Sequence, residues 1–512
     1  MLDRRSFLLT LVVLVAFEAW TLPSVHGWQK YKRTYYSDYV TLPEIEPDAS
    51  DPKLVLESYP HLLGVVASMC PKDDPHLPPD QTTIRIYRQS GSKVDLELRS
   101  MALAVERLVN NGFNISQPTV LYAHGWFQNG ESEWLQTLRE QHNIISRINS
   151  NDVRHFNLLI FDWSQASSKP YQDSVKHIPE VGTRLAKFFH ALNQRFKYSM
   201  DQLHLVGYSL GAQIVGVAGR HLAETGNKVH QITGLDPAGP CFYSDTNFAR
   251  KFTLGPDAAD IVIARHYSYG MLGARGASGD IDIYVNGGMK QPDSNLNKIY
   301  QIVPGAPEHS GAVIHENRIA AASNGCHSIA YKCDSYAKFN EGRCADCRGS
   351  GCYNIDLFAH QTIQKPPQSI KMFLKTGFDQ KCLHHYQVVA QIKPNMPINV
   401  KSAFRAGRVR LEIGSETLVA ITKSELRCDN NIVYTALIAS EDELTNLNEI
   451  KFVYYGTGTK LVKVKDFEVV RLNYMSHPEA QVRRSKSLTF CPNESSQDIL
   501  EPCSSPYKGK TC

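Results

Sequence analysis

No apolar run beyond the first 27 residues of this 512-residue chain is long enough to cross a bilayer, so an integral membrane bundle is excluded as the main architecture. Charge of either sign is also in short supply as an excess. With 55 Lys and Arg against 51 Asp and Glu, the formal net charge is +4, too small to argue for a nucleic-acid surface. Internal repeats and low-complexity tracts are absent, which sets aside solenoids and disordered scaffolds. What remains is ordinary for globular domains: 42% hydrophobic and 21% charged residues. The length accommodates two to four domains.

Cysteine, by contrast, is plentiful, with 12 residues. Arg4 and Arg5 precede the apolar run Phe7 to Phe17, and Gly27 supplies a small residue for cleavage. Residues 1–27 therefore read as a signal peptide, and the chain is expected to be secreted and extracellular. In that compartment cysteines pair as disulfides; a zinc reading of Cys344-x-x-Cys347 is the alternative. Asn114-Ile-Ser and Asn493-Glu-Ser are sequons for N-glycosylation.

Residues 28–69 show no sustained period and read as an extended leader. From Thr82 onward, strands alternate with helices. Thr83 to Tyr87, Thr119 to Ala123, Leu158 to Phe161, Leu203 to Val206, Val229 to Gly234 and Ile261 to Ile263 read as strands. Segments ending at Val109, running from Glu133 to Ile148, and from Val181 to Phe196 read as helices. The expected fold is therefore α/β, with a mostly parallel sheet covered on both faces. After Cys382 short strands take over, from Tyr386 to Leu472, and an all-β sandwich is expected. The expected boundaries are a catalytic domain over 70–365, a linker over 366–382, a β-sandwich domain over 383–503 and a tail over 504–512.

The chemistry gathers around Leu203-His-Leu-Val-Gly-Tyr-Ser-Leu-Gly-Ala212, a strand, a Gly-x-Ser-x-Gly turn and a helix start. That is the context of a nucleophile elbow, with Ser209 as the nucleophile. Asp236 ends the next strand, 27 residues on, where the acid of such a site belongs, although a turn aspartate before Pro237 reads the same way. His266, His309, His315, His327 and His360 are the candidates for the base, and spacing gives only a slight preference to His315, which follows a long loop and precedes a helix read over Glu316 to Ala322. The amides of Leu210 and of Trp126, in the loop His124-Gly-Trp126, are candidate oxyanion donors.

These segments, with Ile232-Thr-Gly-Leu-Asp-Pro-Ala-Gly-Pro240 and Asp282-Ile-Tyr-Val-Asn-Gly-Gly288, resemble those of the secreted pancreatic lipase family over residues 70–503. The resemblance implies an α/β-hydrolase catalytic domain followed by a PLAT-like β-sandwich. It implies a triad of Ser209, Asp236 and His315, with His315 chosen because Ile314-His-Glu-Asn-Arg318 lies between lid and cysteine knot. It also implies the disulfides Cys333–Cys344, Cys347–Cys352 and Cys491–Cys503; a Cys70–Cys241 pair is a further expectation. The implied substrate is a glycerolipid at a droplet, micelle or membrane surface, triacylglycerol or diacylglycerol first. A protein partner at the β-sandwich is also implied.

Three departures qualify this. Ser294 and Val313 stand where the family brackets its lid with cysteines, leaving an unstapled lid with Leu296, Ile299, Ile302 and Val303 at helical spacing. Gly255 and Ala258 replace carboxylates of the family's calcium loop, so no metal is expected there, and no cofactor elsewhere. The short segment Gly270 to Gly279 brings phospholipase A1 activity into consideration. A non-catalytic lipid-binding or yolk-like storage protein and a secreted serine peptidase are the competing readings. Arg483-Arg484-Ser-Lys486 is a small basic cluster on a solvated loop or an anionic surface.

Overall fold

In the computed structural model, residues 70–75, 81–87, 92–147, 156–243, 246–292, 306–321, 326–344, 347, 351–355 and 365–394 are described, together with six later stretches of strand, 408–413, 417–420, 432–440, 450–455, 462–471 and 490–492, and the short strand 500–502. The expected signal peptide and leader, residues 294–305 of the expected lid, His360, Arg483, Arg484 and Lys486, Asn493, Cys503 and the tail lie outside the described residues.

The chain divides into two compact units. The first lies within Pro47–Asn324 and Tyr353–Lys381, the second within Gly325–Cys352 and Cys382–Cys512. The first unit is built on the strands β1 (Thr83–Tyr87), β2 (Lys93–Glu97), β3 (Thr119–Ala123), β4 (Asn157–Asp162), β5 (Leu203–Tyr208), β6 (Gln231–Leu235), β7 (Ile261–His266) and β8 (Ile281–Val285). After β9 (Ile329–Lys332) and β10 (Cys352–Asn354) comes β11 (Ile370–Leu374), which also belongs to its sheet. The order is β11-β8-β7-β6-β5-β3-β4-β1-β2. All neighbours from β11 to β4 run parallel, and β1 and β2 form an antiparallel edge.

This is an α/β-hydrolase sheet, and its residues explain its burial. All five residues of β3, Thr-Val-Leu-Tyr-Ala, are buried, as a strand covered on both faces requires. The helix Leu210–Glu224 that follows β5 is small and apolar and packs back on β3, β5 and β6. Chain order reverses between β3 and β5: β4 lies on one side of β3, whereas β5 and then β6 extend on the other. Loops leaving β3 and β5 at their C-terminal ends therefore part and open a crevice, the place where ligands bind in such sheets. The His124-Gly-Trp126 loop and Ser209 sit on its two sides.

Two elements differ from expectation. The helix expected from Val181 begins at Tyr171 and holds Pro179 in its interior. Pro179 lacks an N–H, but its own carbonyl is used twice over, accepting from the Thr183 hydroxyl at 2.8 Å as well as facing the helix ladder. The stretch 366–382, expected as a linker, contains β11, which pairs in parallel with β8 from Ile370↔Ile281 to Leu374↔Val285. It is part of the sheet because Ile370, Met372, Phe373 and Leu374 have apolar surface to bury there.

In the second unit, β12 (His384–Pro394), β15 (Ile432–Ser440) and β17 (Val462–Arg471) form one antiparallel sheet in the order β15-β12-β17. A second, β14-β13-β16, comprises β13 (Arg408–Ile413), β14 (Thr417–Ala420) and β16 (Ile450–Tyr455). The strands β18 (Phe490–Pro492) and β19 (Leu500–Pro502) pair separately. Disulfides join Cys333 to Cys344, Cys347 to Cys352 and Cys326 to Cys382, and in the first unit Cys70 to Cys241. Cys326–Cys382 carried no sequence expectation. The Cys491–Cys503 pairing lies outside the described residues. Among the described residues, no helix is long and apolar enough to cross a membrane.

Candidate active site

Ser209 sits between the end of β5 and the first helical residue, Leu210, with φ 56° and ψ −120°. A residue with a Cβ occupies that region only at a cost of about 1–3 kcal/mol, so the surroundings must enforce it. They do. The Ser209 N–H donates to the Leu235 carbonyl at 3.0 Å, and the Ser209 carbonyl accepts from Ala212 at 3.1 Å and Ala238 at 3.2 Å. A Cβ on Gly207 would overlap the Gly211 carbonyl, and one on Gly211 would overlap the carbonyls of Ala123 and His124. The two glycines thus let the elbow close on itself and on the end of β3.

Asp236 follows β6 and is fully buried, with φ 43°. Its Oδ1 accepts the N–H of Tyr267 at 2.8 Å and of Ser268 at 3.2 Å. Its Oδ2 accepts the Ser268 hydroxyl at 2.5 Å and Nδ1 of His309 at 2.7 Å. A carboxylate accepts only, so Nδ1 of His309 carries the hydrogen and Nε2 keeps its lone pair. The His309 ring, 12% exposed, lies 4.8 Å between centroids from Tyr208, the residue before the nucleophile. The Tyr208 hydroxyl donates to the His309 carbonyl at 3.3 Å. Burial first, and the Asp236 charge second, push the Tyr208 hydroxyl well above its ordinary pKa, so it stays a neutral donor.

The assignment of the base to His315 is corrected by this geometry. Both histidines lie on one helix, Ala306–Ala321, which begins ten residues before the expected start at Glu316. Six residues of helix turn a side chain by roughly 600°, which leaves it about 120° away from its starting direction. One face cannot present both rings. His309 meets Asp236, whereas His315 is fully buried, with Nδ1 on the Tyr267 hydroxyl at 2.6 Å. Burial, reinforced by the nearby Arg265 charge, lowers the His315 pKa from 6.5 to about 3. Val313, expected at the end of the lid, is buried within the same helix.

The other candidates go elsewhere. His266 pairs with Asp282 at 2.7 Å and stacks on Tyr284, both fully inside the sheet layer. His327 is exposed and belongs to the second unit.

Leu210 is the first residue of its helix, so its N–H has no intrahelical acceptor. In the loop after β3, the amides on either side of Trp126 are engaged: Gly125 donates to Gln128 Oε1 at 3.0 Å and Phe127 to the Ser167 carbonyl at 2.9 Å. The Trp126 amide lies between them. The indole N–H donates to the Lys169 carbonyl at 2.8 Å, and the ring meets Tyr171 edge-on. Gln128 was not singled out from sequence; its buried amide also accepts from Trp134 Nε1 at 3.2 Å, which fixes the loop from below. Ser268 was missed too. Its signal is positional only, a small hydroxyl two residues past the end of β7.

In the altered loop, the two remaining carboxylates each face a cation of the protein. Asp257 meets Arg220 at 2.7 Å and Asp260 meets Lys228 at 3.4 Å. They do not converge on a common point, as a hard cation would need. Asn114 is exposed, and its Oδ1 accepts the Ser116 N–H at 2.9 Å.

The lipase family model matches residues 79–381. Lipoprotein lipase of Neovison vison is 32% identical over 300 residues, covering 55% of this chain and 60% of that protein. Lipoprotein lipase of Rattus norvegicus is 33% identical over 296 residues, covering 54% and 59%, and that of Homo sapiens is 32% identical over 293 residues, covering 54% and 58%. The chain thus spans about three fifths of the length of these curated relatives. Among solved structures, a thermophilic carboxylesterase from a metagenomic library aligns with a TM-score of 0.18 at 15% identity, covering 37% of this chain and 56% of that one. A dienelactone hydrolase-like promiscuous phosphotriesterase, also metagenomic, aligns with a TM-score of 0.22 at 12% identity, covering 37% and 70%. With a family match across more than half of its length, the chain belongs to the lipase family.

Proposed function

We propose that this protein is a secreted carboxylic ester hydrolase of glycerolipids, working through Ser209, His309 and Asp236. The observation that carries the reading is the Asp236–His309 hydrogen bond of 2.7 Å beside a serine held at positive φ. In this mechanism Nε2 of His309 takes the Ser209 proton as Oγ attacks the acyl carbonyl. Asp236 keeps the ring in the Nδ1–H tautomer and stabilises the imidazolium; it does not itself take the proton. The amides of Trp126 and Leu210 donate to the oxyanion, each of a kind contributing about 10²–10³-fold. His309 then protonates the leaving alcohol. Water, deprotonated by the same ring, releases the fatty acid from the acyl-enzyme.

Triacylglycerol and diacylglycerol are the first substrates, supported by relatives named lipoprotein lipase. Phospholipid cleavage at the sn-1 ester is the second reading. It is favoured by the short segment from Gly270 to Gly279, which is tied down by the Gly273 N–H to the Ser268 carbonyl and the Gly276 N–H to the Tyr269 hydroxyl at 3.1 Å each. Purified protein assayed on triolein and phosphatidylcholine side by side, with and without calcium, separates the two. Hydrolysis of neither substrate, together with failure of a fluorophosphonate to label Ser209, returns the chain to the lipid-binding or storage class. The β-sandwich is proposed to dock to lipid or to a protein partner, and Asn114 to carry a glycan.

A further inference from the structure

The four residues that end β7 and leave it, Arg265 to Ser268, hold the acid with their backbone and reach the helix of the base with their side chains. The Arg265 carbonyl accepts the Asp236 N–H at 2.8 Å, and the N–H groups of Tyr267 and Ser268 donate to Asp236 Oδ1. From the same stretch, Arg265 Nη1 donates to Glu316 Oε2 at 2.6 Å, and the Tyr267 hydroxyl is hydrogen-bonded to His315 Nδ1 at 2.6 Å. Glu316 lies seven residues after His309. Two helical turns separate them, so they share one face, and that face lies along the strand.

We propose that Arg265, Tyr267 and Glu316 are positioning residues: they bracket the helix Ala306–Ala321 against the strand that holds Asp236, and so set where the His309 ring stands. The proposal rests on His309 being the base.

The pair between Arg265 and Glu316 is deeply buried, with side chains 5% and 2% exposed. Each partner has a further anchor: Tyr122 donates to Glu316 Oε1 at 3.0 Å, and Arg265 Nη2 donates to the Ile355 carbonyl at 3.0 Å, while the buried Arg265 Nε has no hydrogen-bond partner. Buried ion pairs add little net stability over apolar packing, because desolvation opposes the attraction. What such a pair supplies is direction, since a guanidinium and a carboxylate accept one another in few geometries. His315 has a place in the same device. Kept neutral by burial and by Arg265, it shares the tyrosine hydrogen bond six residues beyond the base. A triad whose acid and base come from separate elements needs such a fixed link, because displacement of a catalytic group by about 1 Å costs up to about 100-fold in rate.

The test compares wild type with Glu316→Gln and Tyr267→Phe, using full-length protein. Glu316→Gln keeps an oxygen for Tyr122 and removes the charge; Tyr267→Phe removes only a hydroxyl and keeps the N–H to Asp236. Active-site titration with a fluorophosphonate counts competent Ser209, and p-nitrophenyl butyrate hydrolysis then gives kcat per titrated site. The expected result is a lower kcat per site, by about 10- to 100-fold for Glu316→Gln and about 3- to 10-fold for Tyr267→Phe, with KM unchanged. A merely structural role lowers the titre and the melting temperature and leaves kcat per site intact. Wild-type kcat per site in Tyr267→Phe and in whatever Glu316→Gln protein folds overturns the proposal while the hydrolase reading stands. Failure of wild type to label or turn over removes that reading, and the proposal with it.

Discussion

Two turns of one helix give their histidines opposite surroundings. Around His309 the protein supplies a carboxylate, an aromatic ring from the elbow strand and a little solvent access. Around His315 it supplies a tyrosine hydroxyl, a nearby arginine and no solvent at all. One imidazole faces a carboxylate. For the other, burial and the nearby Arg265 charge oppose gaining a proton. The residue type is identical, so the difference in role comes from what the helix face meets, not from the helix.

The largest consequence concerns the base. His309→Ala should lower kcat for a soluble ester by about 10⁵-fold or more, as expected when one member of a triad is removed; an assay on p-nitrophenyl butyrate reads it. Asp236→Asn should cost about 10⁴-fold, because an amide N–H facing Nδ1 leaves the ring in the wrong tautomer. On the other side of the comparison, His315→Gln keeps an amide that can pair with the Tyr267 hydroxyl in either sense and should retain activity within about tenfold of wild type. A loss comparable to that of His309→Ala would reverse the two roles.

The smallest effect is on acid stability. The folded-state pKa of His315 is about 3, against 6.5 for the free group, so the folded form stays unprotonated where the unfolded chain binds a proton. Its contribution is complete above about pH 6.5 and declines as pH falls toward 3, by up to about 1.4 kcal/mol per pH unit. His204, buried and also lowered to about 3, adds a like slope. Urea unfolding at pH 7 and pH 4.5 should therefore show a shallower acid loss in His315→Gln than in wild type. Equal slopes would mean that His315 titrates normally.

The sequence made the elbow and the acid legible because each is local. Gly207, Ser209 and Gly211 must be neighbours for the turn to close, and Asp236 ends a strand whose apolar run is visible in itself. The proposed base was not legible, because nothing local distinguishes His309 from His315. Their difference lies in helical phase relative to β7, and that phase depends on where the helix starts. Reading the start at Glu316 rather than Ala306 left both histidines in a loop, where spacing carries no direction. Pro179 hid the first ten residues of its helix in the same way, since a proline reads as a boundary when its packing is unseen. β11 was read as part of a linker over 366–382, because a five-residue strand with Lys371 among its apolar residues gains its meaning only from β8 beside it. Ser268 and the Arg265–Glu316 pair are contacts across long sequence separations, and no spacing rule reaches them.

The central claim is that His309, and not its neighbour one and a half turns on, activates Ser209. Its most direct test is fluorophosphonate labelling of purified wild type, His309→Ala and His315→Gln, with the adduct located by peptide mass spectrometry. The account predicts rapid modification of Ser209 in wild type and His315→Gln and none on the same timescale in His309→Ala. Rapid labelling of His309→Ala, with a silent but folded His315→Gln, would contradict it.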